Sequence, residues 1–142
     1  LDEARAAVQA LGRPADEPLG FVLHRAAREL AERYQVNLEV EVDDSISVQT
    51  DQQHALMRIT REAVSNAVRH GKAPRIHVQL ARSDGRRRLV VQDDGRGFDA
   101  DRAPADSAGY GLVSMRDRAL SLPGSLAIES EPGIGSRVTV TW

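Results

Sequence analysis

The chain has 142 residues, a length suited to one domain with a modest buried core. Its 19 Lys and Arg against 21 Asp and Glu, with two Phe, two Tyr and one Trp, supply neither a basic footprint nor an aromatic platform for nucleic acid. Cysteine is absent, which excludes disulfides, thiolate metal sites and cysteine nucleophiles, and no apolar run reaches the roughly 20 residues of a membrane helix.

The chain opens without methionine in a helix-like stretch, LDEARAAVQAL, which reads as the end of a helix in a larger protein. Gly12 and Pro14 close it, so residues 1–16 are expected to hold that helix end and a linker, and 17–142 the domain proper. From Leu19 to Tyr34, Val22, Leu23, Ala26, Ala27, Leu30 and Ala31 recur at helical spacing. The segment VNLEVEV, residues 36–42, alternates with period two and predicts a half-buried strand. A long helix is expected to open near Asp51, a favourable N-cap residue. Its core stripe is Leu56, Ile59, Ala63 and Ala67, and it ends near Gly71 and Pro74. RIHVQLA and RRRLVVQD read as strands joined by the turn RSDG. Residues 98–110 carry no periodicity and are expected to form a mobile loop. A helix, GLVSMRDRALSL, and two strands, SLAIESE and SRVTVTW, around the turn PGIG complete the chain. Helices and hairpin-linked strands together predict an α/β two-layer sandwich.

Three stretches carry chemistry. In REAVSNAVRHGKA, Glu62, Asn66 and His70 are spaced four apart and share one stripe of the long helix. Asn66 lies about 20° around the helix from Ile59, at the edge of the core-facing side, where a carboxamide needs partners. The stripe is either a solvated polar edge or a site in which Asn66 offers a carbonyl oxygen to Mg²⁺ and Glu62 orients or deprotonates a nucleophile. The second stretch, DDGRG, follows a strand. Asp-Gly suggests a hairpin, yet FDADRAPAD does not continue as a strand, and the carboxylate spacing of a calcium loop is missing. The third, GYGL, opens a helix whose free N–H groups could hold phosphate. No Rossmann fingerprint or Walker A loop is present in the sequence.

The order of these motifs closely resembles the ATP-binding catalytic domain of sensor histidine kinases, of the Bergerat or GHKL fold shared with gyrase, Hsp90 and MutL ATPases. EAVSNAVRHGKA resembles the N box, DDGRG the first glycine box and GYGL the second, and the likeness spans about residues 19–142. A short lid and GLVSMRDRA are similar to kinases that partner LuxR-type (NarL-like) response regulators.

The resemblance implies a mixed, mostly antiparallel sheet covered on one face by helices, with an ATP lid at about 98–110. It implies ATP and Mg²⁺ as cofactors. Asp93 would accept a hydrogen bond from the adenine amino group, since an ionised carboxylate accepts and does not donate. Gly95 and Gly97 would let the backbone lie near base and sugar, and Asn66 would bind Mg²⁺ with Glu62 behind it as base or orienting group. Gly109, Gly111 and the Leu112 amide would hold the phosphates. Arg69, His70 and Lys72 match the basic end of the N box, although Arg69 falls on the exposed side of the helix. Ser136 stands where the family usually has Thr near the adenine, and Arg96 is expected to be solvated.

ARELAE, residues 27–32, is similar to the family's phosphoacceptor stretch, ARELHD, but Ala31 and Glu32 replace the His and Asp. None of His24, His54, His70 and His77 lies in an acceptor box. The implied reaction is therefore transfer of the ATP γ-phosphoryl to a histidine on a separate dimerisation domain, for relay to a response regulator. The implied parent is a homodimer that could be anchored in the cell membrane, with this domain cytoplasmic. A clamp-type ATPase, an anti-sigma serine kinase and a non-catalytic nucleotide-binding module are the alternatives.

Overall fold

Among the described residues, two amphipathic helices lie against one face of a five-stranded sheet, and the sequence periodicities account for each element. A computed structural model describes residues 16–97 and 124–142. The expectations for residues 1–15, for the lid, and for the helix after Gly111 fall outside the described residues. The elements are α1 (Leu19–Tyr34), β1 (Asn37–Val42), α2 (Thr50–Arg69), β2 (Arg75–Ser83), β3 (Arg86–Asp93), β4 (Ser125–Glu131) and β5 (Gly135–Thr141). The strand order is β1-β2-β3-β5-β4. β1 and β2 are parallel and all other pairs antiparallel, so the sheet is mixed and mostly antiparallel.

α1 buries Leu19, Leu23, Ala26, Ala27 and Leu30, a stripe of helical spacing. α2 buries Leu56, Ile59, Ala63 and Ala67 as the sequence predicts, and also Val64 and Thr60, whose hydroxyl donates to the Leu56 carbonyl at 2.8 Å. The start of α2 differs from expectation. Gln49 is its N-cap, with Gln52 Oε1 accepting the Gln49 N–H at 3.2 Å as in a capping box, so Asp51 lies in the first turn. A carboxylate there still favours the positive end of the helix dipole.

Between β2 and β3, Asp84 and Gly85 both have positive φ, 53° and 75°, which is the geometry of a type I′ hairpin turn. The Asp-Gly at 84–85 is thus a true hairpin turn, whereas the one at 94–95 is not. Alternation along the strands places Val78, Leu80, Leu89, Val91, Val138 and Val140 in the core under the helices. Leu38, Val40, Leu126 and Ile128, on the two edge strands, are only partly buried. Replacing a fully enclosed residue such as Leu56 by Ala should cost about 2–5 kcal/mol.

The register lines the core face into cross-strand rows. Leu80, Leu89, Val140 and Leu126 form one row, and Val78, Val91, Val138 and Ile128 the next. In the row after that, Ile76 stands beside Asp93, Ser136 and Ser130. The sheet's core-facing side therefore turns from apolar to polar at one end, and it does so at Asp93.

Candidate nucleotide site

The C-terminal turn of α2 and the segment after β3 are fastened together. Asn66 closes the helix by accepting the N–H groups of both His70 and Gly71 through its main-chain oxygen, each at 3.0 Å. The next residues turn back to β2, with Lys72 at a positive φ of 50° and Ala73 N–H donating to the Ala67 carbonyl at 2.9 Å. Gly71 is buried, and its carbonyl accepts the Arg96 N–H at 2.6 Å. Asp94 holds the same junction from the other side, where its Oδ1 accepts the Arg75 N–H at 3.1 Å. Glu62 and Asn66, both half-buried on α2, are thereby fixed relative to Asp93 at the end of β3.

The glycines of DDGRG earn their place through the chain's own backbone. A Cβ at Gly95 would stand 2.5 Å from the Gly71 oxygen and 3.0 Å from the Ala73 Cβ. Gly97 has a positive φ of 65°, and a Cβ there would collide with the Glu131 carbonyl of the β4–β5 hairpin. The Arg96 carbonyl accepts the Gly133 N–H of that hairpin at 2.6 Å. Arg96 thus joins α2 to the hairpin entirely through main-chain atoms, while its side chain is exposed as expected.

Asp93 is half-buried, and its Oδ1 accepts the Gly95 N–H at 2.9 Å. Burial raises its carboxyl above the ordinary aspartate range, and the neighbouring Asp94 charge adds to this. The backbone N–H groups of Gly95 and Ser136 oppose the rise by favouring the ionised form. Ser136 is its cross-strand partner on β5, and beyond it Ser130 on β4 has its Oγ 2.8 Å from the Ser136 Oγ.

The other expected site residues divide plainly. Arg69 is exposed and donates to Ser65 Oγ at 3.4 Å on its own helix, Lys72 is exposed, and His70 is half-buried at the helix cap. Gly109, Gly111 and Leu112 lie outside the described residues. Two open cavities of about 310 and 280 Å³ share Gln92, Asp93 and Asp94 as a wall. One adds Glu39, Ile76 and His77, the other Glu129, Ser130, Ser136 and Arg137, and neither takes a side chain from α2. By strand alternation Glu39, His77, Glu129 and Arg137 belong to the sheet face away from the helices, so both cavities reach Asp93 from the sheet's end and none of their walls comes from α2. Among the described residues, no group of three or more His, Cys, Asp and Glu is arranged to hold a metal.

Residues 51–142, spanning α2 and the whole sheet beyond β1, match the model of the histidine kinase-, DNA gyrase B-, and HSP90-like ATPases. The chain belongs to this ATPase family. Its fold is that of histidine kinase ATPase domains. It superposes on the histidine kinase domain of the Erythrobacter litoralis EL346 blue-light activated histidine kinase with a TM-score of 0.76 and 22% identity, covering 87% of this chain and 60% of that one. The Acinetobacter baumannii histidine kinase AdeS gives a TM-score of 0.67 and 14% identity, over 87% of this chain and 61% of that one. In sequence the chain is similar to sensor protein VraS of Staphylococcus aureus, 34% identical over 125 residues, which is 88% of this chain and 35% of VraS. The Staphylococcus saprophyticus VraS is 40% identical over 85 residues, 60% of this chain and 24% of that protein. The chain spans about a third of the length of the curated relatives it matches over most of its own. Within the ATPase family, the features that sequence reading missed are Arg96's main-chain bridge, the Asp94–Arg75 clasp and the Ser130–Ser136 pair. Only the glycines flanking Arg96 signalled any of them.

Proposed function

We infer that the chain is the ATP-binding catalytic domain of a two-component sensor histidine kinase. It would direct the γ-phosphoryl of ATP to a histidine on a separate dimerisation domain, for relay to a LuxR-type response regulator. The reading is supported most by one juxtaposition, the last turn of α2, with Asn66 and Glu62, tied to a half-buried Asp93 at the polar end of the core sheet. Similarity to VraS over 88% of the chain supports the kinase branch of the family.

In this reading Asp93 accepts the adenine amino group, which an acceptor-only carboxylate favours over the 6-oxo group of guanine. Ser136 stands beside the base. Gly95 and Gly97 set the Asp93 loop closely enough for base and sugar to approach its backbone. Gly109, Gly111 and the Leu112 amide hold the phosphates, with Arg69, His70 and Lys72 at the basic end of the helix. The donor set fits Mg²⁺ rather than a protein-caged metal: Asn66 would supply one neutral oxygen, with phosphate and water oxygens completing the shell. When bound, Mg²⁺ supplies charge neutralisation on the phosphates. Glu62, one helical turn before Asn66, orients or deprotonates the acceptor imidazole. The parent protein is read as a homodimer, with this domain on the cytoplasmic side of a membrane-anchored sensor.

Titration calorimetry with ATP, with and without Mg²⁺, tests the site. Wild-type affinity in Asp93→Asn would sink the adenine assignment. Labelled ATP with the parent's helical domain tests the reaction, where phosphohistidine supports the kinase and steady phosphate release without it supports a clamp-type ATPase.

A further inference from the structure

The polar end of the core sheet holds a hydrogen-bonded serine pair of which the proposed chemistry uses only one member, Ser136. Ser130 and Ser136 are direct cross-strand partners, both half-buried, with their hydroxyl oxygens 2.8 Å apart. Ser130 Oγ also lies 3.2 Å from the Gly135 carbonyl oxygen, which can only accept. A serine hydroxyl carries one proton and two lone pairs. With the Ser130 proton directed to Gly135, the Oγ–Oγ bond is donated by Ser136. Either oxygen could donate the Oγ–Oγ bond; in this arrangement Ser136 donates it, and what Ser136 then offers to anything bound beside Asp93 is lone pairs.

We propose that Ser130 is a positioning residue for base specificity: by taking the Ser136 proton, it keeps the edge formed by Asp93 and Ser136 acceptor-only. Where the substituent at position 6 faces it, such an edge accepts from an amino group and repels an oxygen. Without Ser130, the Ser136 hydroxyl can rotate and donate, and the 6-oxo group gains a partner. The inference rests on the nucleotide reading above.

The experiment compares ATP with inosine triphosphate, which carries an oxygen at position 6, by calorimetry on the 142-residue chain. Wild type is expected to prefer ATP. In Ser130→Ala the preference should fall about three- to tenfold, the size of one neutral hydrogen bond gained by the wrong base. Ser130→Thr, which keeps the hydroxyl, should restore it. In a Ser136→Ala background, Ser130→Ala should change the preference no further. Ser130→Cys, a weak donor and acceptor, gives the same reading should the alanine variant not fold: an intermediate preference supports the proposal. An unchanged ATP to inosine triphosphate ratio in Ser130→Ala or Ser130→Cys overturns it, as does equal weakening of both nucleotides, which would mark a purely structural role. Wild-type chain that binds neither nucleotide refutes the nucleotide reading itself, which separates the two failures.

Discussion

Gly95→Ala should damage the fold and the proposed site together, because its missing side chain faces atoms that cannot rotate away. The new methyl would sit 2.5 Å from the Gly71 oxygen, 2.9 Å from the Gly71 carbonyl carbon and 3.0 Å from the Ala73 Cβ. Gly71 is held to Asn66 and Ala73 to Ala67, so neither can yield without disturbing the end of α2. Relief requires residues 93–97 to withdraw, stretching the 2.6 Å bond from the Arg96 N–H to Gly71. Overpacking costs about 1–3 kcal/mol and the lost hydrogen bond about 1 kcal/mol more. At about 3–4 °C per kcal/mol for a chain of this size, the melting temperature should fall by roughly 6–16 °C. The same withdrawal shifts Asp93 against Asn66, and ATP affinity should drop at least about tenfold. Gly85→Ala is the control. Gly85 has a φ of 75° and nothing within 4 Å of an added Cβ, so only the left-handed backbone penalty of about 1–2 kcal/mol applies. Thermal melts by circular dichroism and ATP calorimetry on both variants decide the matter. The reasoning fails if Gly95→Ala melts no lower than Gly85→Ala, or if both lose affinity equally.

Asp93→Asn should lose ATP binding yet melt higher than wild type near pH 7. Burial raises the Asp93 pKa in the folded chain, so its favourable contribution exists below the ordinary aspartate range and is lost as pH rises through the raised value. The stability gap should therefore close as pH is lowered, and a wild-type melting curve lower than the variant's at acidic pH as well would contradict this. ATP affinity of the wild type should weaken as pH falls through the same raised value, a limb that calorimetry across pH should show. Glu62→Ala should keep ATP affinity within about twofold while phosphohistidine formation drops by about 10²–10⁴, the contribution typical of a general base. Arg87 stacks 5.3 Å from the centre of the Trp142 ring and donates to the Ser47 carbonyl at 2.9 Å. Arg87→Ala should cost about 1–2 kcal/mol and shift the emission of the chain's single tryptophan.

Helix spans were legible because burial follows period 3.6, so Leu19–Tyr34 and the stripe from Leu56 to Ala67 matched their apolar spacing. The cap at Gln49 was not, since glutamine is a weak N-cap by type and acts here through its partnership with Gln52. Strand faces were legible from alternation, but partners were not: nothing local says that Asn37–Val42 pairs in parallel with β2, or that Ser130 meets Ser136. At the site, the sequence announced that Gly95 and Gly97 permit close approach without naming what approaches. The answers, Gly71 and Glu131, lie more than twenty residues away along the chain. The half-burial that raises the Asp93 pKa depends on the same long-range packing, so the residue was legible and its electrostatics were not.

The bridge at Arg96 has a practical consequence. It uses only main-chain atoms and leaves the side chain in solvent, so position 96 can change identity while the junction between α2 and the β4–β5 hairpin persists. The chain contains no cysteine. A single Arg96→Cys substitution therefore provides a unique attachment point for a fluorophore or spin label, and the dye would report from the junction between α2 and the β4–β5 hairpin.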